Sequence, residues 1–262
     1  MKKHEACIIG WDLGGAHVKA CLLMGGKVRE VVQWACPLWL GLDRLDQVLE
    51  QAATRWPHMR ASLHAVTMSG EMTDLFEHRE QGVLRLAQRM ADLPGMGLAF
   101  YAGEQGWCRP EQVGAAWPSI ASANWLATAR LAARRIGQGV LVDIGSTTCD
   151  LIPLRDGAVV AQGLTDACRL ASGELVYSGV VRTPLCGLAR RIAFRGQQYN
   201  VMNELFATTA DVYRLTGELD PRQVCAKASQ SEWRASRSSM PIMRARRRRV
   251  ASPSFGPLSA AG

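Results

Sequence analysis

The sequence lacks the features that mark a membrane, secreted or metal-cluster protein. Its 262 residues contain no apolar run of about 18, so no transmembrane helix is predicted. The N-terminal lysines are followed too soon by Asp12 to leave room for the apolar region of a signal peptide, which favours a cytoplasmic protein. The eight cysteines form no CxxC pair and no cluster with histidine, a pattern typical of reduced, buried thiols and not of a zinc site or a disulfide framework.

The sequence also has little acidic charge to balance its basic residues, but the excess is local. The formal net charge is +8, and residues 232–262 hold seven arginines against one acid, Glu232. The preceding part has 24 basic and 22 acidic residues and is close to neutral. We therefore predict a nearly neutral folded region, followed over 220–262 by a disordered, Arg-rich tail without amphipathic periodicity.

Two hairpins of similar design are present. Residues 140–154 read VLVDIGSTTCDLIPL, with Asp143 on the first apolar run and Gly145 at the tip. Residues 7–23 read CIIGWDLGGAHVKACLL, in which Asp12 and Gly14 occupy the corresponding places. Two apolar runs joined by a glycine-containing turn are typical of a β-hairpin. The repeat predicts two lobes that face a shared cleft.

The remaining patterns predict an α/β protein with a mixed sheet in each lobe. Strands are expected at 6–13, 17–24, 27–34, 63–68 and 97–101, and again at 140–154 and 158–163. Apolar residues at helical spacing predict helices at 42–56, 81–93, 119–136 and 203–215. We place the first lobe at 1–136 and the second at 137–219.

The chemistry of the hairpins favours a phosphate site. Glycine turns expose backbone N–H groups to phosphate oxygens, and the hydroxyls of Ser146, Thr147 and Thr148 add donors. Asp12 and Asp143 can hold Mg²⁺ against those phosphates, and Lys19 can neutralise phosphate charge. Short glycine motifs alone are often ordinary tight turns, but two equivalent copies favour the functional interpretation.

Three further side chains are candidates with structural alternatives. Glu71 and Asp74 follow the 63–68 strand, where ligands bind in open α/β sheets, although they also suit a helix N-terminus. Arg182 can contact a phosphate or a carboxylate, or form a surface or interlobe ion pair.

These residues resemble a known family. The paired hairpins are similar to those of the acetate kinase, sugar kinase, Hsp70 and actin superfamily, whose two ribonuclease-H-like lobes bind phosphates between them. The nearer resemblance is to hydantoinase/oxoprolinase-like proteins linked to the tetrahydromethanopterin one-carbon pathway. It rests on IIGWDLGGAHVKA, TMSGEMTDLF, IASANWLATA, VLVDIGSTTCDLIPL, GELVYSGVVRTPL and ELFATTADVYRLTGEL, which span most of 6–219.

The resemblance implies a transferase of methanofuran biosynthesis. Such an enzyme joins an aminomethylfuran-methyl diphosphate to the phenol of tyramine or glutamyl-tyramine and releases diphosphate. The implied roles are Mg²⁺ binding by Asp12 and Asp143, a diphosphate cradle at Gly14, Gly15, Gly145, Ser146 and Thr147, and a phenol base at Glu71 or Asp74. The implied partners are these two small molecules; a membrane partner is not expected.

Two alternatives stay open at this point. One is an ATP-dependent kinase or a hydantoinase/oxoprolinase-type subunit of the same fold, and ATP is expected only in that case. The other is a nonenzymatic nucleotide- or nucleic-acid-binding protein that uses the arginine tail.

The resemblance ends where the tail begins. Similar proteins continue past the 204–219 segment with further helical sequence, so we interpret the second lobe as incomplete, with a truncated or frame-shifted end. Such a lobe is expected to leave apolar surface exposed and to lower stability or activity.

Overall fold

A computed structural model describes residues 6–93, 95 and 97–219. The chain divides into two compact units, one ending at Gly179 and the other beginning at Val180. The tail predicted at 220–262 lies outside the described residues. Among the helices described, none is long and apolar enough to cross a membrane.

The first unit contains a six-stranded mixed sheet. Its strands are β1 (Cys7–Leu13), β2 (His17–Met24), β3 (Lys27–Ala35), β4 (Leu63–Met68), β5 (Gly97–Tyr101) and β6 (Trp107–Cys108). They lie in the order β3-β2-β1-β4-β5-β6, with an antiparallel meander of β1 to β3 and parallel pairs β1–β4 and β4–β5. The predicted meander and crossover strands of this sheet are confirmed, and so is the α/β class.

Two amphipathic helices pack on this sheet. They are α1 (Asp43–Arg55) and α2 (Arg79–Ala91). Their apolar residues recur at intervals of three and four and enter the core together with Ile9, Trp11 and Leu13 of β1. Trp11 also donates its indole N–H to Nδ1 of His64, at 3.0 Å, so the polar edge of this buried ring is satisfied.

The second sheet lies between residues 139 and 176. Its strands are β7 (Gly139–Ile144), β8 (Cys149–Arg155), β9 (Ala158–Val159) and β10 (Leu175–Val176), and every pair among them is antiparallel. The strand predicted at 158–163 is shorter than expected, because β10 occupies the edge of β8 further along. Among the described residues β7 pairs only with β8. Val140, Val142 and Ile144 of β7 are at least half exposed.

The helix predicted at 119–136 is wrong as a single helix. The structure has α3 (Val113–Ile120) and α4 (Asn124–Ile136), separated by Ser122 at a φ of 52°. The Ser122 hydroxyl leaves the helical path and binds Glu71 and Arg79. Serine readily exchanges helical hydrogen bonds for side-chain ones, and here the buried Glu71 and its partner Arg79 decide the break. α4 then packs its apolar face on Ile152 and Leu154 of the second sheet.

A short helix, α5 (Asp166–Ser172), precedes β10 and was not predicted. It begins after Thr165, whose hydroxyl accepts the N–H of Cys168 as an N-cap.

The second unit holds a hairpin of β11 (Arg191–Phe194) and β12 (Gln197–Asn200), then α6 (Thr209–Thr216). The helix predicted at 203–215 starts later. Ala207 accepts a backbone hydrogen bond from Leu185, and Thr208 forms a capping box with Asp211. Pairing therefore holds the chain extended before the cap, and α6 begins at the cap.

The burial of Leu38 gives a matched test of core packing beneath the first hairpin turn. Leu38 is fully buried, and its N–H donates to Gly15 O at 3.0 Å, whereas Leu40 is 61% exposed. We expect Leu38→Ala to lower the free energy of unfolding by about 2–5 kcal/mol because it opens a cavity. Leu40→Ala should change it by less than about 0.5 kcal/mol. Urea unfolding measures both, and equal losses would contradict the packing described.

Candidate functional site

The two hairpin turns are closed by the same backbone hydrogen bond. Gly14 N donates to His17 O at 3.0 Å, and Gly145 N donates to Thr148 O at 2.8 Å. A Cβ at Gly14 would lie 2.7 Å from that same carbonyl oxygen, and one at Gly145 would lie 3.2 Å from its own partner. The repeat seen in the sequence is therefore a repeat of turn geometry. The N–H groups of the two glycines close the turns and are not free for a phosphate.

A second glycine backs each turn. A Cβ at Gly70 would lie 3.2 Å from Gly14 O, and one at Gly179 would lie 2.5 Å from Thr147 N. Backbone therefore meets backbone at both places, with no room for a side chain between. This support is more than a simple hairpin turn needs, and it restricts the tip of each turn.

Asp12 is the more enclosed of the two predicted metal-binding acids. Its Oδ2 lies 3.5 Å from Nζ of Lys19, and its Oδ1 accepts from the Asn124 amide at 3.5 Å. Burial raises the pKa of Asp12, Lys19 and Asn124 oppose that rise, and the negative charge of Asp143 adds to it. Asp143 itself is exposed. The charge of Asp143, on the second sheet, thus acts on Asp12, on the first.

This donor set fits the chemistry of Mg²⁺. The ion usually takes one or two protein carboxylates and completes its octahedron with water and substrate phosphates. No group of three or more His, Cys, Asp or Glu side chains suited to a metal occurs in the part of the chain that the structure describes. Asp12 and Asp143 supply two carboxylates, so magnesium remains a prediction that these residues can satisfy.

Beside Asp143 lies a buried ion pair that the sequence did not reveal. Asp150 is its direct partner across the β7–β8 ladder, and Asp150 Oδ1 lies 2.8 Å from Nη1 of Arg169. Arg169 is only 1% exposed and stacks 3.8 Å above the ring of Trp125. Burial raises the pKa of Asp150 and Arg169 lowers it. Arg169 thus offsets one of two adjacent acids and leaves Asp143 available.

The two candidate bases differ in access. The Glu71 side chain is wholly buried; its Oε1 lies 3.1 Å from Nη2 of Arg79 and accepts the Ser122 hydroxyl at 2.8 Å. Arg79 Nη2 also donates to Ser122 Oγ at 2.8 Å, which closes a triangle of contacts. Asp74 is exposed in the same loop. Glu71 is fixed in place, whereas Asp74 is free to meet a small molecule.

The other predicted residues lie at the two turns, on β2 and in the second unit. Gly15, Ser146, Thr147 and Thr148 lie at the two turns and are partly buried, and the hydroxyls of Ser146 and Thr147 are 3.4 Å apart. Lys19 is occupied by Asp12. Arg182 is exposed and belongs to the second unit. The predicted residues of each turn therefore lie together within that turn, and Arg182 lies in the other unit.

Five residues of the site were missed: Asn124, Arg79, Ser122, Arg169 and Asp150. The quoted segment IASANWLATA contains two of them, and its serine and asparagine pattern favours a helix start. That signal was available. No local pattern could have shown which acid each arginine would meet.

Residues 60–241 match the family model described as hydantoinase/oxoprolinase, which is more than half of the chain. The chain belongs to the hydantoinase/oxoprolinase family. The resemblance found in the sequence is thereby confirmed.

Two relatives of the chain come from methanogens. In Methanocaldococcus jannaschii, (4-{4-[2-(gamma-L-glutamylamino)ethyl]phenoxymethyl}furan-2-yl)methanamine synthase is 31% identical over 206 residues, or 78% of this chain and 60% of the relative. The protein of the same name in Methanococcus vannielii is 48% identical over 73 residues, or 28% of this chain and 32% of the relative. The chain thus spans about 60% of the length of the longer match.

Solved structures show weaker similarity. A Ppx/GppA family member from Aquifex aeolicus is 13% identical, with a TM-score of 0.36 over 81% of this chain and 60% of that chain. A ROK family transcriptional regulator is 12% identical, with a TM-score of 0.35 over 91% of this chain and 58% of that chain.

The turn geometry predicts unequal costs for alanine at the two tips. Gly14→Ala should lower the free energy of unfolding by about 1–3 kcal/mol, because its Cβ would press on a carbonyl oxygen. Gly145→Ala should cost less, since its contact is 0.5 Å longer (3.2 against 2.7 Å). Gly10→Ala is the control, because its Cβ would have nothing within 4 Å. Chemical denaturation compares the three, and a Gly10 variant that loses as much as the Gly14 variant would refute the explanation.

The raised pKa of Asp12 predicts a stability that depends on pH. The protonated form stabilises the fold at low pH, and this contribution is lost as the pH rises through the raised pKa. Asp12→Asn removes the buried charge and should therefore raise the melting temperature at pH 7, by an amount that shrinks toward pH 4. Asp46→Asn, which removes the acid from a partly exposed ion pair with Arg89, is the control. Melting curves from pH 4 to 8 test this, and an Asp12→Asn protein that is less stable at pH 7 would contradict it.

Proposed function

We propose that this chain provides the diphosphate-displacing site of a synthase in methanofuran biosynthesis. The observation that carries the proposal is the pair of equivalent glycine turns, each beside an aspartate, in a chain that is 31% identical to the named synthase. Since the chain spans about 60% of that relative, the substrates and the activity are part of the proposal.

The relative's name defines the bond to be made. Its product is a phenoxymethyl furan, so an ether joins the phenol oxygen to a furan-bound CH₂ carbon. In the proposed reaction the phenol oxygen bonds to this carbon while the carbon–oxygen bond to diphosphate breaks. The bonding pair leaves with diphosphate, and a base takes the phenol proton. Negative charge therefore grows on the diphosphate, and its stabilisation is the main catalytic need.

The two turns suit this need. The Ser146, Thr147 and Thr148 hydroxyls at the second turn offer donors, and Lys19 brings a positive charge to the first. Gly15 lies at the first tip, where it lets the backbone approach a phosphate closely. Asp12 and Asp143 would hold Mg²⁺, which when bound supplies positive charge to the leaving group. Lys19 would then exchange its contact with Asp12 for one with phosphate.

Asp74 is the proposed base for the phenol. Glu71 accepts hydrogen bonds from Arg79 and Ser122 and has no exposed side-chain surface, so a phenol cannot reach it without breaking that cluster. Asp74 lies three residues further along and is exposed. Glu71 is instead proposed to hold the loop that backs the first turn.

Family membership favours one alternative, an ATP-dependent kinase or hydantoinase/oxoprolinase-type activity in the same site. The two proposals differ in what the turns bind. A synthase needs the two phosphates of its leaving group, whereas the alternative requires ATP.

Calorimetric titration with inorganic diphosphate and with ATP, each with Mg²⁺, separates these proposals. We expect diphosphate to bind, and Asp143→Asn to weaken it at least about tenfold because a metal-binding oxygen is lost. Asp156→Asn, an exposed acid in the turn after β8, should bind as the wild type does. Tight ATP binding would favour the alternative, and binding of neither ligand would overturn both.

A further inference from the structure

Helix α5 carries two opposite charges three residues apart, Asp166 and Arg169. Asp166 forms an ion pair near the first hairpin, and Arg169 forms one with a residue of the second hairpin. Asp166 Oδ2 lies 3.3 Å from Nη1 of Arg79, and Arg169 Nη1 lies 2.8 Å from Oδ1 of Asp150. We propose that α5 acts as a strut that sets the spacing of the two glycine turns, with Asp166 and Arg79 as positioning residues. The expected effect on diphosphate binding rests on the proposed function. The claim that α5 sets the spacing of the two turns does not depend on it.

Three successive contacts connect Asp166 of α5 to the 14–15 turn. Arg79 pairs with Asp166 through one nitrogen and with Glu71 through the other. Glu71 directly follows Gly70, whose missing Cβ lets it lie against Gly14 O. Helix α2 also presses on this point, since a Cβ at Gly82 would lie 2.7 Å from Glu71 O. A movement of Asp166 is therefore passed through Arg79 to the loop that supports the first turn.

A second series of contacts connects α5 to Asp143 through its cross-strand neighbour. Arg169 binds Asp150 and also donates to Glu174 O at 3.2 Å, while Trp125 covers its guanidinium face. Asp150 pairs with Asp143 in the ladder that leads directly into the second turn. An arginine so enclosed has one available position, because a buried charge must keep its partners. Asp143 is therefore held at a set place relative to α5.

Both series of contacts start from one rigid element. Asp166 and Arg169 are separated by a single helical turn, so their spacing cannot change without unwinding α5. The distance between the two turns is consequently fixed through α5, and it can vary only as far as the two ion pairs can lengthen or shift. A ligand that contacts both turns requires such a fixed separation, since small displacements of positioning groups cost large factors in binding.

The strut can be told apart from an ordinary ion pair by comparing binding with stability. The Arg79 side chain is 40% exposed and that of Asp166 is 25% exposed, so the pair itself adds little to stability. A merely stabilising pair predicts a small change in melting temperature and no change in ligand affinity. A positioning pair predicts a large change in affinity with the same small change in melting temperature.

The test is Asp166→Asn in the full chain, with Asp46→Asn as the matched control. The control also removes the acid from an Asp–Arg pair, 3.6 Å from Arg89 and far in the chain from either turn. We expect Asp166→Asn to weaken Mg²⁺–diphosphate binding about tenfold, as loss of an outer supporting partner typically does. Both variants should melt within a few degrees of the wild type. An affinity equal to that of the control, or a melting temperature that falls in step with affinity, would overturn the strut.

Amide hydrogen exchange gives a second readout that needs no ligand. In Asp166→Asn we expect faster exchange at 69–73, on the far side of Arg79, as well as in α5, and no change at 69–73 in Asp46→Asn. Faster exchange confined to α5 would refute the strut. A wild type that fails to bind diphosphate would refute the proposed function, and the exchange result would still decide on the strut.

Discussion

The described site depends on backbone meeting backbone where glycine leaves no side chain between. At the first turn Gly70 lies against Gly14, and at the second Gly179 lies against the peptide between Ser146 and Thr147. Such contacts hold the tip of a turn more tightly than a hairpin alone, because two chain segments must move together. The acids beside the turns inherit this rigidity, since Asp12 and Asp143 lie on the strands that lead into them.

Acidic and basic side chains form ion pairs around the two turns. Lys19 faces Asp12, Arg169 offsets Asp150, and Arg79 lies between Glu71 and Asp166. Asp143 has no ion pair of this kind among the described salt bridges, and it remains exposed. Because the neighbouring acids Asp12 and Asp150 are paired, a cation can meet Asp143 without breaking an ion pair of that residue. The ion pairs thus define the site as much as the residues that would touch a ligand.

Much of the fold was predictable because its signals are local. Alternating apolar residues and glycine turns gave the meander of β1 to β3 almost residue by residue, and helical spacing gave α1 and α2. The errors arose where a distant partner decided the outcome. Ser122 interrupts the predicted helix because Glu71, 51 positions away, takes its hydroxyl. The strand after β8 is short because β10 returns to the same edge. The acids Asp12 and Asp143 were visible in the sequence as a repeat. The ion pair of Asp150 with Arg169 was not, because it forms between residues that only the fold brings together.

The unpaired edge of β7 has a bearing on the site itself. Asp143 lies on this strand, whose outer edge has no ladder partner within the described part of the chain. Strands with open edges accept further strands, and pairing stiffens a strand along its length. A strand that pairs with β7 would therefore further restrain the position of Asp143. Pairing at the edge would in this way affect the site. The six residues of β7 thus carry both an acid of the candidate site and an edge that is open to strand pairing.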